Sequence, residues 1–176
     1  AEGDAAAGAL AMAALAAQAR FAQAQRRMQL PLGELPGELF HGVLIALRET
    51  WPKLAPSADQ ALRSQYEEGA GRLALLGRLA SESGAQAARL LVVEEAGAAL
   101  WLTALAARSG QTRERIACAA ADPQLGRLLL TLRAAGMAPG EAERQALIVQ
   151  PDALLPAGLQ DIGTREAAQW LAEARA

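Results

Sequence analysis

The stretch LWLTALAARSGQTRERIACAAA, residues 100–121, decides the fold class. Its first half is apolar and stops at Gly110, and its second half is a short run that Thr112 can cap. Alanine, leucine and arginine dominate it; they are good helix formers, and β-branched residues are scarce. The stretch therefore predicts two helices joined by a tight turn. We expect Trp101 and Leu105 to anchor the core of this hairpin.

The composition of the whole chain favours helices throughout. The 176 residues are 52% hydrophobic and 20% charged but only 3% aromatic, which argues against a substantial sheet and against disorder. We predict an all-α fold, a multi-helix bundle with short HEAT-like stacked helical hairpins. We expect one domain over 1–176, with a long alanine-rich helix in 1–30, a helical core in 37–150, and a loose tail with a terminal helix in 151–176.

Local signals set the expected helix bounds. Ser57 and Ser83 each precede a glutamine by three residues, which predicts capping boxes that begin helices. Asp122 before a proline predicts another N-cap. Gly69 and Gly71 are expected to kink or split the helix that begins at Ser57, or to admit a close neighbour. Gly97 is expected to mark a kink or a break between two helices. Further helices are expected at about 5–28, 37–51, 139–150 and 164–175.

The first predicted helix carries two apolar stripes. One seam comprises Leu10, Ala14, Ala17, Phe21, Ala24 and Met28, and the second stripe comprises Met12, Leu15, Ala19 and Ala22. A helix on the outside of a monomeric domain needs one polar face, and this helix has almost no polar side chain before Gln18. We therefore expect a two-fold homodimer through the first seam. The alternative is that the domain buries both stripes between the helices that contain Glu38 and Ser57.

Groups that could carry chemistry are few. The chain has one histidine and one cysteine, which disfavours a zinc site and a cysteine–histidine catalytic pair. Glu38 and His41 have the spacing of a di-iron motif, but that motif needs a second histidine. Cys118 lies among alanines and is expected to be a small buried residue. The glutamate pairs at 67–68 and 94–95 diverge on a helix and do not face each other. We predict no enzyme activity and no catalytic, cofactor-binding or metal-binding residue.

Part of the sequence is similar to a known family. The run from Trp101 to Gly110, then residues 116–122, then 128–137 with its RAAGM ending, resembles the C-terminal part of the alphaproteobacterial domain of unknown function 2336, over about residues 85–149. The shared features are an alanine-rich helix ending in Ser-Gly, a short helix ending in an acidic turn, and a helix ending in an Ala-Gly-hydrophobic step. The resemblance implies a bacterial, all-helical protein with HEAT-like character, and it carries over no catalytic residue.

Three classes of function are compatible with these features. The first, which we favour, is a protein-interaction or regulatory module, because the helices present more small apolar surface than one core needs. The second is a DNA-binding regulator in which residues 102–121 form a helix-turn-helix with Arg113 and Arg115 at the start of the recognition helix. The third is an enzyme built from scattered glutamates and arginines. A net charge of −2 argues against nucleic acid or a membrane surface as the partner.

The sequence also bears on cellular location. No stretch reaches about eighteen apolar residues without a glycine or a charge, and the apolar stretch 8–17 lacks the basic flank of a secretory signal. We expect a cytoplasmic protein without a membrane span or a cofactor, whose partner is another protein.

Overall fold

The structure is a computed structural model that describes residues 2–158 and 161–174. This part of the chain forms nine α-helices and several short 3-10 turns, without a strand, which confirms the predicted all-α class. The chain divides into two compact units, unit 1 (Ala1–Leu79) and unit 2 (Ala80–Ala176), where the sequence suggests a single domain. A HEAT-like stack stays a prediction.

Unit 1 is built from long helices and two short turns. The helices are α1 (Glu2–Arg26), α2 (Gly37–Thr50), α3 (Ala55–Gln65) and α4 (Arg72–Glu82), the last crossing the division between units; turn A (Leu32–Glu34) and turn B (Glu68–Ala70) are 3-10 helices in mutual contact. The predicted split at Gly69 and Gly71 is confirmed, because α3 ends at Gln65. At Gly71 a Cβ atom would overlap the carbonyl oxygen of Gly33, so only glycine permits this close approach.

Aromatic stacking holds α2 against the end of α3. The rings of Phe40 and Tyr66 stack with their centroids 3.9 Å apart. The Tyr66 hydroxyl donates a hydrogen bond of 2.9 Å to the Leu35 carbonyl oxygen. Leu44, one turn beyond Phe40, is fully buried. These contacts form the aromatic part of the unit 1 core.

Unit 2 packs around one central helix. Its helices are α5 (Val93–Ser109), α6 (Arg113–Ala121), α7 (Gly126–Ala134), α8 (Pro139–Val149) and α9 (Thr164–Glu173), preceded by 3-10 turns at Gly84–Gln86 and Arg89–Leu91. The central helix, α7, contacts α5, α6, α8 and α9. Trp101 and Leu105 lie in the same core as the α7 leucines, which confirms both as core anchors.

The hairpin of residues 100–121 has the predicted local structure. Gly97 interrupts α5 with a φ of 69°, and Gly110 ends α5 in the left-handed region with a φ of 67°. The Thr112 side chain caps α6 by accepting a hydrogen bond of 3.3 Å from the Arg115 backbone N–H. Each signal lies within a few residues of the feature that it specifies.

Three predicted N-caps are wrong. Ser57 lies inside α3, which begins at Ala55, and its hydroxyl donates to the Leu54 carbonyl oxygen. Ser83 similarly donates to the carbonyl oxygen of Ala80 and is followed by 3-10 turns in place of the expected α-helix. The side chain of Asp122, just after α6, accepts from the Gln124 N–H and forms a turn, so α7 begins later than predicted.

Side chains distant in sequence cap three helices instead. Glu68 Oε1 accepts from the Gly37 N–H that begins α2, at 3.1 Å. Glu34 Oε1 accepts from the Arg72 N–H that begins α4, at 3.0 Å. Gln145 Oε1 accepts from the Val93 N–H that begins α5, at 2.9 Å. Each bond satisfies one of the free N–H groups at a helix N-terminus.

The Gln145 cap belongs to a polar network that extends from a buried amide to exposed charged side chains. The Gln145 side chain is fully buried, and its amide nitrogen donates to the carboxylates of Glu94 at 3.0 Å and Glu141 at 3.2 Å. Arg144 bonds the same two carboxylates. Hydrogen bonds from Gln145 and Arg144 hold the pKa of Glu94 below its usual range. The side-chain oxygen and nitrogen of Gln145 therefore both have hydrogen-bond partners, which lie on α5 and α8.

The two tryptophans of unit 2 supply a matched test of the core. Trp101 is 2% exposed, whereas Trp170 is 44% exposed. We expect Trp101→Ala to lower the free energy of unfolding by about 3–5 kcal/mol, because the substitution leaves a large cavity. Trp170→Ala should cost much less. Chemical denaturation of both variants measures the difference, and equal losses would show that Trp101 is not a core anchor.

The remote cap of α5 is tested by Gln145→Met, which keeps the side-chain volume but removes the bond to the Val93 N–H. We expect a loss of about 1–3 kcal/mol in the free energy of unfolding. Glu94 contributes stability above its ordinary pKa that is lost as the pH falls through its lowered native pKa. The difference between wild type and variant should therefore shrink in acid. Gln169→Met on the exposed side of α9 is the control; a pH-independent difference would contradict the network.

Candidate interaction surface

Exposed large apolar side chains are concentrated in unit 1. Among the described residues, nine of the twelve exposed large hydrophobic side chains belong to this unit. They are Met12, Leu15, Met28, Leu30, Leu39, Val43, Ile45, Trp51 and Leu54. By contrast, of the twenty-six buried hydrophobic residues in the described part of the chain, eighteen belong to unit 2. Unit 1 thus leaves much of its apolar surface uncovered.

The first seam of α1 is not a continuous exposed face. Leu10, Ala14 and Ala17 are buried in a cluster with Leu75 of α4. Phe21 and Ala24 are half-buried, and Met28 lies beyond the last residue of α1, with a positive φ. The seam predicted for self-association is therefore partly core, because α4 covers it. The covering helix, α4, corresponds to the second part of the helix that the alternative expected to begin at Ser57 and to continue past Gly71.

The second stripe of α1 faces solvent. Met12 is 66% exposed and Leu15 is 64% exposed, and Ala19 and Ala22 on the same stripe are also exposed. At about 100° per residue, this stripe lies opposite the buried seam. Residues 5–19 contain no charged side chain. The outer face of α1 is therefore apolar over about four turns.

An aromatic contact anchors α1 near its C-terminal end. The Arg72 guanidinium carbon lies 4.2 Å from the centroid of the Phe21 ring, a cation–π contact. Arg72 also donates to the Gln18 side-chain oxygen at 3.4 Å. Its guanidinium pairs with Glu34 at 3.5 Å. Arg72, the first residue of α4, thus links α4 to α1 and to turn A.

A surface cleft opens beside this contact, within unit 1. Its volume is about 250 Å³, and three segments form its walls: α1, turn A with the residues before it, and the stretch around turn B. Its lining includes Ala17, Arg20, Phe21, Glu34, Glu67 and Gly71. The contact between Gly33 and Gly71 sets the spacing of two of these walls.

A second apolar concavity lies at the tip of the α2–α3 hairpin. Trp51, Pro52 and Leu54 line it together with Lys53. Trp51 is 57% exposed. Tryptophan at the centre of an apolar patch is typical of interface hot spots.

The remaining residues that the sequence singled out do not converge on a site. Glu38 and His41 are exposed on α2, and no cluster of three metal-binding side chains occurs in residues 2–158 or 161–174. Cys118 is exposed, so its predicted burial is wrong: Ile116 and Ala119 occupy the buried face of α6. Arg115 is exposed.

Charged residues that the sequence suggested as candidates have partners in the structure. Arg113 is half-buried and donates to the Thr103 hydroxyl at 3.5 Å. Glu95 pairs with Arg89 at 2.6 Å, while its neighbour Glu94 joins the Gln145 network. The two adjacent glutamates therefore point to different partners, as expected for neighbours on a helix.

Comparison with known proteins identifies no relative. No protein-family model, curated protein or solved structure matches the chain. The resemblance to domain of unknown function 2336 therefore stays a hypothesis.

One helix among the described residues could cross a membrane by length and composition alone. It is the Ala5–Arg26 part of α1. The sequence-based exclusion of such a segment was therefore too strict, since it required a stretch without any glycine or charge.

The wall of the cleft is tested by Gly71→Ala. We expect a clear loss of unit 1 stability, because the added methyl group must push turn A away from Gly71. Gly69→Ala is the matched control, since nothing lies within 4 Å of a Cβ atom at that position. Thermal unfolding of the two variants gives the comparison. Equal melting temperatures would contradict the close approach of Gly33 and Gly71.

Proposed function

We propose that this chain is a non-enzymatic helical interaction module that binds protein through the exposed apolar surface of unit 1. The observation that carries the proposal is the imbalance between the units, since the described part of unit 1 leaves nine large hydrophobic side chains exposed. Burial of apolar surface is the main driving force of protein association. Patches of this kind on soluble proteins commonly mark interaction sites.

The outer stripe of α1 is the part of this surface best suited to a helical partner. Met12 and Leu15 are flanked by alanines, which permit close approach of a second helix. The 25 residues of α1 span about 37 Å, long enough for an extended helix–helix contact. We propose that the partner is a second copy of the chain, because two-fold homodimers are the commonest assembly and the stripe is complementary to itself.

The buried seam supports α1 and does not compete with this role. Ala17 packs with Leu75 in the unit 1 core, while Leu15 faces the opposite side of the helix. One face of α1 can therefore hold the helix to its own unit while the other face binds a partner. The proposed dimer contact therefore lies on the second stripe and not on the first seam.

Three glutamate substitutions on α1 distinguish core from interface. In light scattering coupled to size exclusion, we expect a dimer for the wild type and a stable monomer for Leu15→Glu. Ala17→Glu should destabilise unit 1, because it buries a charge against Leu75. Ala13→Glu, exposed on the flank between the stripes, should change neither property.

Two outcomes would overturn the proposal. A monomeric wild type at tens of micromolar would exclude the second copy as the partner. Unfolding of Leu15→Glu would show that the outer stripe is core. Binding of the wild type to lipid vesicles without self-association would assign the stripe to a membrane instead.

A further inference from the structure

Two residues of opposite charge line the cleft of unit 1, and their side chains have no partner among the described residues. Arg20 of α1 and Glu67, just before turn B, both contribute to its lining. Both residues are exposed, and the side chain of neither makes a hydrogen bond or ion pair with any described residue, including each other. The cleft therefore presents one free cation and one free carboxylate within the described structure.

Apolar residues also line the cleft, and contacts within unit 1 hold them in place. Ala17 is buried, and Phe21 and Pro31 are half-buried, all three lining the cleft. The Phe21 ring is held by the Arg72 guanidinium. Turn A is held close to Gly71, as described above. A site with rigid walls loses less free energy on binding than a flexible one.

Glu34 also lines the cleft but is already committed. Its Oε1 accepts from the Arg72 N–H at 3.0 Å, and its Oε2 pairs with the Arg72 guanidinium at 3.5 Å. Its charge is thus balanced within the protein. A ligand cation would therefore meet Glu67, and a ligand anion would meet Arg20.

The volume limits the size of the ligand. A cavity of 250 Å³ corresponds to about eight water molecules at roughly 30 Å³ each. That is the size of a molecule with about eight to ten non-hydrogen atoms, below the pockets of about 300–1,000 Å³ that hold drug-sized ligands.

We propose that this cleft binds a small zwitterion of the α-amino acid type. Its carboxylate would bind Arg20, its ammonium group would bind Glu67, and an aliphatic side chain would lie against Phe21 and Pro31. One free cation and one free carboxylate beside apolar residues match this class of ligand. They disfavour simple anions, simple cations and large apolar molecules. The site uses the flank of α1 and is independent of the proposed dimer contact.

The test is a titration of the full ¹⁵N-labelled chain, observed by NMR. The ligands are L-leucine, 4-methylpentanoate, which lacks the ammonium group, and isoamylamine, which lacks the carboxylate. We expect L-leucine to shift the backbone amide signals of Gly33 and Gly71 and to bind more tightly than either analogue. Arg20→Gln should weaken L-leucine and 4-methylpentanoate by about tenfold and leave isoamylamine unchanged. Glu67→Gln should weaken L-leucine and isoamylamine and leave 4-methylpentanoate unchanged.

The controls are Arg26→Gln and Glu49→Gln, two exposed residues of unit 1 outside the cleft lining. They should leave all three affinities unchanged, and the same spectra report whether each variant is folded. Absence of shifts at Gly33 and Gly71 with L-leucine, L-valine, L-methionine and L-alanine up to about 10 mM would overturn the proposal. The proposal would also be overturned if Arg20→Gln weakened isoamylamine as much as 4-methylpentanoate, or if Glu67→Gln weakened 4-methylpentanoate as much as isoamylamine.

Discussion

Three helices in this protein begin where a side chain from elsewhere in the chain accepts their first N–H. Glu68 caps α2, Glu34 caps α4 and Gln145 caps α5, across sequence separations of 31, 38 and 52 residues. A local cap stabilises a helix before the fold forms, whereas a remote cap forms only together with the tertiary structure. The start of each of these helices is therefore coupled to the packing of its unit. In unit 1 the coupling is reciprocal, because turn A caps α4 and turn B caps α2.

This constraint explains how much of the fold the sequence could predict. The hairpin of residues 100–121 was predictable because Gly110 and Thr112 act on their immediate neighbours. The caps assigned to Ser57 and Ser83 were wrong because each hydroxyl donates to the backbone carbonyl oxygen three residues earlier. The local pattern also carries no information on the remote caps of α2, α4 and α5. The cleft could not be predicted for the same reason, since its walls come from three separate segments. The exposure of Cys118 could not be predicted, because a run of alanines has no apolar periodicity that marks one face of the helix.

The alanine-rich composition shapes the surface as well as the core. Alanine allows helices to approach closely but buries little area, so each contact contributes little free energy. In α1, the small buried cluster of Leu10, Ala14 and Ala17 with Leu75 is supplemented by the Arg72 cation–π contact with Phe21. Unit 1 is therefore held together on a narrow set of contacts, which leaves the opposite face of α1 and the Trp51 tip uncovered. The scarcity of large side chains that limits the core of unit 1 therefore also leaves the candidate interaction surface exposed.

Contacts of α1, turn A and α4 meet at Arg72. Its backbone N–H is capped by Glu34, and its guanidinium contacts Glu34, Phe21 and Gln18. Because Glu34 neutralises this arginine, Glu67 and Arg20 are left as the free charges of the cleft. A ligand that bridges them would connect α1 to the stretch before turn B, which Arg72 already connects through α4. Binding would thereby stabilise the folded unit by mass action.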